Sequence, residues 1–246
     1  MIRSQPYAEL SKIYDRVMNH VKYDEWSEYI TSIFHHFGIN VKSILEIACG
    51  TGNFSIYLYN HGYDITCTDL SPAMLKVTLD KFKEKRIPQK LFAADMTSLP
   101  LKTEFDAVLC LYDSVNYLRD SDDLRKMFRE VYTVIRDSGL FIFDVCTAKN
   151  SQMFFADNSM CEDFGEVKYE RKCHFRDSEN IQENLFIIED NGNRFIEKHS
   201  QRIYRLEEIT EIISDSQFKI LGVFEDFTFN TGTENSERVH FVLKKE

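Results

Sequence analysis

A short apolar strand that runs into two closely spaced glycines and then into a helical stripe constrains this chain more than any other feature. Ile44-Leu45-Glu46-Ile47 leads into Ala48-Cys49-Gly50-Thr51-Gly52, and Phe54, Tyr57 and Leu58 then begin a stripe that stops near Gly62. That order puts the N–H groups of a helix N-terminus at the end of a buried strand, where a ligand can approach them. The alternation continues. Residues 64–68 read as a second strand. Ser71-Pro72 starts a helix that runs to about residue 86, with Ser as N-cap and Pro at the first helical position. Residues 90–94 and 105–111 read as the third and fourth strands. Ser121 or Asp122 caps the next helix, whose inner face is Leu124, Phe128, Val131 and Ile135, and residues 140–144 are the fifth strand. Near-continuous apolar strands separated by helices predict an α/β fold with a doubly wound, mostly parallel sheet.

The flanks differ. Residues 6–37 have helical spacing, with Leu10, Ile13, Val17 and Met18 followed by Trp26, Tyr29, Ile30 and Ile33, and Gly38 ends the stripe. After the fifth strand, residues 166–175, 181–189 and 194–203 alternate with period two, and Asn191-Gly192 is a hairpin signal. Residues 206–214 return to a helix, and 218–224 and 238–243 to strands. The expected organisation is a cofactor-binding domain of residues 1–164 and 205–246 with an N-terminal helical arm. Residues 165–204 are expected to form an antiparallel β insertion that covers the site where a second ligand would bind.

With 246 residues, 43% of them hydrophobic, the chain can bury the core of one such domain. Its formal charge of −10 argues against a nucleic-acid partner. Residues 151–246 hold 20 acidic and 12 basic residues, which reads as a solvated surface or as weak attraction for a cationic small molecule. The six cysteines contain no CxxC pair and no histidine cluster accompanies them, so buried free thiols and no metal site are expected. Free thiols fit a reducing compartment. The N-terminal region has no apolar run long enough for a signal peptide or membrane span, so a cytoplasmic protein is expected.

Several residues carry the chemistry. Gly50 and Gly52 let a cofactor approach the backbone. Asp69 ends the second strand, where a carboxylate can accept both hydroxyls of a ribose. Asp95 ends the third strand, where it can accept from an adenine amino group while Met96 packs on the ring. Each acid also has a plainer reading: Glu46 as a satisfied core acid, Asp69 as a turn residue, Asp95 as a cap. The glycine spacing is not G-x-G-x-x-G, unlike that of nicotinamide-binding proteins.

These motifs occur in a recognisable order: residues 46–52, Asp69-Leu70-Ser71-Pro72-Ala73-Met74-Leu75, Asp95 with Pro100, and residues 105–111 followed by Tyr112-Asp113-Ser114-Val115-Asn116-Tyr117-Leu118. In them the chain resembles the class I S-adenosylmethionine-dependent methyltransferases, over residues 42–144 and more loosely over the C-terminal helix and strands. Its layout is similar to glycine N-methyltransferase and the aminosugar N,N-dimethyltransferases, which also place an antiparallel extension after the fifth strand. The resemblance implies a Rossmann-like seven-stranded sheet in order 3-2-1-4-5-7-6 with the last strand antiparallel. It implies S-adenosyl-L-methionine as cofactor, held by Tyr14, Glu46, Ala48, Gly50, Gly52, Asn53, Asp69, Leu70, Met74, Asp95, Met96 and Leu111. In relatives, a tyrosine in a context like Tyr14-Asp15 closes over the cofactor; Tyr14 could equally be core packing. Ala48 departs from the family's usual glycine, and because Ala is costly at positive φ, position 48 is expected at φ below zero.

Methyl transfer needs alignment and desolvation rather than a covalent enzyme intermediate. Tyr14, Tyr112, Asp113 and Asn116 are the catalytic candidates, the last three because they follow the fourth strand; Asp113 could also be a turn residue. Asp144 lies at the same edge. Tyr7 and Tyr14 are expected on one helix face. His174 and His199 read as ordinary strand residues. Aromatic faces and the Asp113 carboxylate point to an amine-bearing small-molecule acceptor. The expected function is therefore methyl transfer to an amine nitrogen. The alternatives are an O-methyltransferase on a hydroxyl or carboxylate and a non-catalytic cofactor-binding protein. No membrane partner is expected, and a homodimer through the insertion is an open arrangement.

Overall fold

Ile44 and Leu45 adjoin in sequence and both are fully buried, yet they lie in different core layers. The same split divides Val108 from Leu109 and Phe141 from Ile142. Neighbouring strand residues point to opposite sheet faces, so a sheet whose consecutive residues are all apolar must be covered on both sides. The computed structural model describes residues 2–246 and has that arrangement.

The first half contains β1 (Ile2–Arg3), α1 (Tyr14–Val17), α2 (Tyr23–His36), β2 (Ser43–Ile47), α3 (Asn53–Asn60), β3 (Asp64–Asp69), α4 (Pro72–Lys85), β4 (Leu91–Ala93) and β5 (Phe105–Cys110). The middle contains α5 (Ser121–Val134), β6 (Ile135–Cys146), α6 (Ala148–Phe155), β7 (Asn158–Asp163) and β8 (Val167–Arg176). The chain closes with β9 (Ile181–Asp190), β10 (Asn193–Arg202), α7 (Leu206–Ser214), β11 (Phe218–Glu225) and β12 (Arg238–Lys245).

Seven strands form the main sheet in the order β4-β3-β2-β5-β6-β12-β11. β12 is antiparallel to both β6 and β11, and the other neighbours are parallel. This is the expected 3-2-1-4-5-7-6 arrangement. Ile30 and Ile33 of α2, Leu58 of α3 and Phe82 of α4 cover one face. Phe128 and Val131 of α5 and Ile209 and Ile213 of α7 cover the other. Each fully buried Phe, Leu, Ile or Val contributes roughly 1.5–3 kcal/mol, so these two layers hold the sheet that carries the loops above it. No described helix is long and apolar enough to cross a membrane.

A second, five-stranded sheet has the order β1-β10-β9-β8-β7. The three alternating runs are β8, β9 and β10, and Asn191 and Gly192 turn at φ 47 and 77, as a two-residue hairpin requires. β1 and β7 were not expected. β7 is an edge strand exposed along nearly its whole length, so it carries no alternation to read. β1 has only two residues and pairs parallel to β10. α5 is capped by Asp120, not by Ser121 or Asp122.

The N-terminal arm is not one helix. A 3-10 turn at Leu10–Lys12, α1 and α2 are separate pieces. Leu10, Ile13 and Val17 pack on Tyr169, Phe186 and Ile188 of the second sheet, whereas Trp26, Tyr29, Ile30 and Ile33 pack on the main sheet. A straight helix cannot turn its stripe toward two surfaces, so the chain breaks between them. Tyr7 therefore stands outside any helix, at φ 64, rather than on a helix face shared with Tyr14. The two rings still meet, with centroids 6.0 Å apart.

Candidate active site

A cavity of about 1020 Å³ opens where the ends of β2, β3, β4 and β5 meet the arm and the second sheet. β2 leads into a left-handed turn with Ala48 at φ 55 and Gly50 at φ 57, and both residues line the cavity. The expected negative φ at Ala48 is thus overturned. The turn that lifts the chain from β2 into α3 needs left-handed backbone there, which a residue with a Cβ adopts at a cost of roughly 1–2 kcal/mol. A Cβ on Gly50 would meet no atom within 4 Å, so this glycine leaves open space. Gly52, at φ 74, is different: a Cβ there would come 2.6 Å from Thr78 Cγ2. It serves the close packing of α3 on α4 and does not line the cavity.

Asp69, at the end of β3, is 9% exposed. Its Oδ2 accepts from Gly50 N at 2.8 Å and its Oδ1 from Ser71 N at 2.8 Å. Burial raises its pKa, and those two N–H bonds oppose the rise. Each oxygen keeps a second acceptor position. Leu70 beside it is 70% exposed, and Met74 is buried on the same wall. Asp95 Oδ1 accepts from Thr97 N and Thr97 Oγ1 at 2.8 and 2.7 Å, and Asp95 and Met96 line the cavity.

Asp15 ties the arm to this wall. Its Oδ1 accepts from Thr51 Oγ1 at 2.6 Å and from Asn53 Nδ2 at 2.9 Å, and Lys81 Nζ lies 2.8 Å from Oδ2. Burial works against its ionisation, but Lys81, Thr51 and Asn53 outweigh burial and lower its pKa.

Beyond β5 the chain takes two consecutive left-handed residues, Tyr112 at φ 62 and Asp113 at φ 49. Such backbone is uncommon without glycine and must be held from outside. Asp144, fully buried on β6, accepts the N–H of Tyr112 at 2.6 Å and of Asp113 at 2.9 Å, and pairs with Arg238 of β12. The Asp113 carboxylate accepts from Arg238 Nη2 at 2.9 Å and from Gln201 Nε2 at 2.6 Å. Burial raises the pKa of both aspartates and Arg238 opposes it. Burial would lower Arg238, but Asp144 and then Asp113 outweigh it and hold the guanidinium charged. Asp113 is therefore engaged, not a free carboxylate awaiting an ammonium group.

The second sheet supplies the opposite wall with Arg171, Gln182, Asn184, Phe186 and Gln201. Arg171 donates from Nε and Nη2 to Asn184 Oδ1 at 3.1 and 2.9 Å, between the rings of Phe155 and Phe186. It has no carboxylate partner among the described residues. Five tyrosines also line the cavity: Tyr7, Tyr14, Tyr23, Tyr112 and Tyr117. Burial raises all of their pKa values, Tyr112 to about 12, so each stays a neutral hydroxyl.

The structure thus brings Tyr14, Ala48, Gly50, Asn53, Asp69, Leu70, Met74, Asp95, Met96, Leu111, Tyr112 and Asp113 to one cavity. Three others stand apart from it. Gly52 packs as described. Glu46 is buried and bonded to the Ser55 hydroxyl, with burial pushing its pKa up to about 8 against that bond. Asn116 is fully buried, donating to Arg202 O at 2.6 Å and accepting from Cys146 N at 3.4 Å. Its amide is used in joining β10 to β6, so it is withdrawn as a catalytic candidate. The sequence reading missed Arg171, Arg238 and the Asp15 contacts. A lone arginine opening an apolar strand was a visible signal for Arg238; its partners were not.

A methyltransferase domain family matches residues 44–139. A Geobacillus sp. (strain WCH70) protein with a methyltransferase name is 30% identical over 245 residues, covering 97% of this chain and 99% of its own length. The crystal structure of a Clostridium acetobutylicum S-adenosylmethionine-dependent methyltransferase aligns with TM-score 0.84 and 29% identity, over 97% of this chain and 98% of that one. The sugar N-methyltransferase KedS8 from Streptoalloteichus sp. shares the fold at TM-score 0.75 and 19% identity, over 96% of this chain and 92% of its own. Rat glycine N-methyltransferase is 29% identical over 133 residues, 49% of this chain and 45% of its own. The cavity suits the cofactor these relatives imply: open space at Gly50, unfilled acceptor positions on Asp69, and an exposed apolar face at Leu70. On sequence, fold and cavity together, the chain belongs to the S-adenosylmethionine-dependent methyltransferases.

Proposed function

We propose that the protein methylates the nitrogen of a small amine. The observation that carries this reading is the wall of five neutral tyrosines around the cavity. Phenol oxygens accept N–H bonds, and ring faces favour the positive charge of an alkylated nitrogen. The carboxylates beside β5, Asp113 and Asp144, are both paired with Arg238, so neither is free to take the proton of an alcohol acceptor. An amine has only to lose its ammonium proton. The names of KedS8 and rat glycine N-methyltransferase, both N-methyltransferases, support the same class.

When bound, S-adenosylmethionine supplies a methyl group on a sulfonium for in-line displacement by the acceptor. Asp69 would accept the ribose hydroxyls through the lone pairs its backbone bonds leave free. Asp95 and Met96 would frame the adenine, with Leu70 covering its face. Gly50 gives the room for close approach, and Tyr14 on the arm closes the cavity from above. The paired Asp113 and Arg238 hold Tyr112 in place instead of binding the acceptor. Residues 165–204 would cover the acceptor, and the unpaired guanidinium of Arg171 favours an amine that also carries an anionic group.

A turnover assay with S-adenosylmethionine and a panel of amines, amino acids, their decarboxylated counterparts, alcohols and carboxylic acids tests this. Amines should be methylated, those with a carboxylate most efficiently. Turnover confined to hydroxyl or carboxylate acceptors would replace the reading with O-methylation.

A further inference from the structure

From two tyrosines of the cavity wall a run of polar side chains leads into the second sheet. Tyr7 and Tyr117 line the cavity with their hydroxyl oxygens 2.5 Å apart. Tyr117 Oη is 3.0 Å from His199 Nδ1, and His199 Nε2 is 3.3 Å from Glu197 Oε2. The His199 and Glu197 side chains are 1% and 0% exposed. Glu197 also accepts the N–H groups of Tyr7, Glu9 and Leu10 at 2.7, 2.5 and 3.1 Å. Burial works against its ionisation, but His199 and the N–H groups of Glu9 and Leu10 outweigh burial and lower its pKa.

With the imidazole neutral, these contacts fix the direction of every bond. A carboxylate only accepts, so His199 donates from Nε2 and leaves Nδ1 as an acceptor. Tyr117 must then donate to Nδ1, and its own oxygen accepts from Tyr7. The Tyr7 oxygen keeps its lone pairs at the cavity wall. Burial keeps both phenols protonated, so they pass protons on rather than hold a charge.

We propose that Tyr7, Tyr117, His199 and Glu197 form a relay that carries the proton of a bound ammonium acceptor out of the cavity. The relay rests on the amine reading above. An N–H bond of the ammonium breaks, its proton bonds to Tyr7 Oη, and the electron pair stays on nitrogen. The original Tyr7 hydroxyl proton passes to Tyr117 Oη, and that of Tyr117 passes to His199 Nδ1. Both tyrosines end neutral, and the positive charge has moved from the acceptor to His199 beside the Glu197 carboxylate. The freed electron pair forms the new N–C bond as the methyl group leaves sulfur. After product release, the proton returns to solvent by the same hydroxyls. Tyr7 is the residue placed to touch the acceptor; Tyr117, His199 and Glu197 are positioning residues that act through it. The other ionisable groups facing this run are Tyr14 on the arm, Asp113 with its Arg238 partner, Asp69, and Arg171.

The test is kcat against pH, from about 6 to 10, for the wild type, His199→Gln and Tyr117→Phe, with the best amine from the panel. The wild type should level off within this range. Both variants should lose at least about tenfold near pH 7, keep climbing, and meet the wild type above about pH 9, where the amine sheds its own proton. Tyr117→Phe leaves the three backbone bonds to Glu197 intact, so its calorimetric affinity for S-adenosylhomocysteine should not change. That variant keeps the test decisive if His199→Gln fails to fold. A loss by the same factor at every pH, or no loss near pH 7, overturns the relay alone. Failure of the wild type to methylate any amine overturns the relay together with the amine reading.

Discussion

Asp69 does two jobs at once, and a substitution separates them. Its carboxylate ties the glycine turn to the start of α4 through Gly50 N and Ser71 N, and it offers two further acceptor positions to the cavity. Asp69→Asn keeps one acceptor oxygen and the side-chain volume but loses the charge. Charge-assisted hydrogen bonds are worth about 1.5–3 kcal/mol, so cofactor affinity should fall about ten- to hundredfold by calorimetry. Unchanged affinity in a folded variant would take Asp69 out of the proposed ribose contact. Asp69, Gly50 and Asp95 were legible because their signals are local: a strand end, a turn, a carboxylate. Ala48 was not, since a left-handed φ at an alanine is imposed by the path from β2 to α3 rather than by alanine's preference. Asp113 misled for a related reason. Its partner Arg238 lies at the start of the last strand, and only the β6–β12 pairing brings it within 2.9 Å.

The arm is the element that closes the cavity, and one carboxylate latches it. Asp15 on α1 gathers Thr51, Asn53 and Lys81 from the glycine turn and from α4. Because its folded pKa is lowered, the stabilisation it brings is fully present above the unfolded carboxylate value and is lost only as pH falls through the folded value. The latch is therefore set at neutral pH. Asp15 is partly exposed, so the ion pair counts for little by itself, and two hydrogen bonds add about 0.5–1.5 kcal/mol each. Asp15→Ala removes both hydrogen bonds and should speed release of S-adenosylhomocysteine about five- to hundredfold in stopped-flow measurements, with the second sheet's thermal stability unchanged. Equal release rates would mean that the arm does not gate the cavity. The helical stripe announced an arm but not its break, because periodicity reports a buried face without saying which surface buries it. Here residues 10–17 answer to the second sheet and residues 26–33 to the main one.

At the scale of the whole molecule, α2, β12 and the β11–β12 loop converge on His240. It is fully buried against Trp26, Tyr29 and Phe227, and neither ring nitrogen has a hydrogen-bond partner among the described residues. Burial, then the Arg238 charge, push its pKa down to about 3 against a weaker pull from the Asp226 backbone. The unfolded chain binds a proton at this imidazole near pH 6.5, whereas the folded chain resists until about pH 3. Stability from this site is therefore complete above the unfolded value and drains away as pH falls toward the folded one. At pH 4.5 the loss amounts to about 2–3 kcal/mol. Leucine at this position fills similar space without a proton to bind or a polar atom to leave unpaired. His240→Leu should raise unfolding stability by about 1–2 kcal/mol at pH 7, and its advantage over the wild type should widen by a further 2–3 kcal/mol at pH 4.5. Urea unfolding of both proteins at the two pH values measures this directly. The raised carboxyl groups at Glu46, Asp69, Asp113 and Asp144 act in the opposite sense on acidification, but they are common to both proteins and drop out of the difference. A gap that stays constant between pH 7 and 4.5 would mean that the folded protein protonates His240 as readily as the unfolded chain, and that the junction between arm, sheet and loop is open to water.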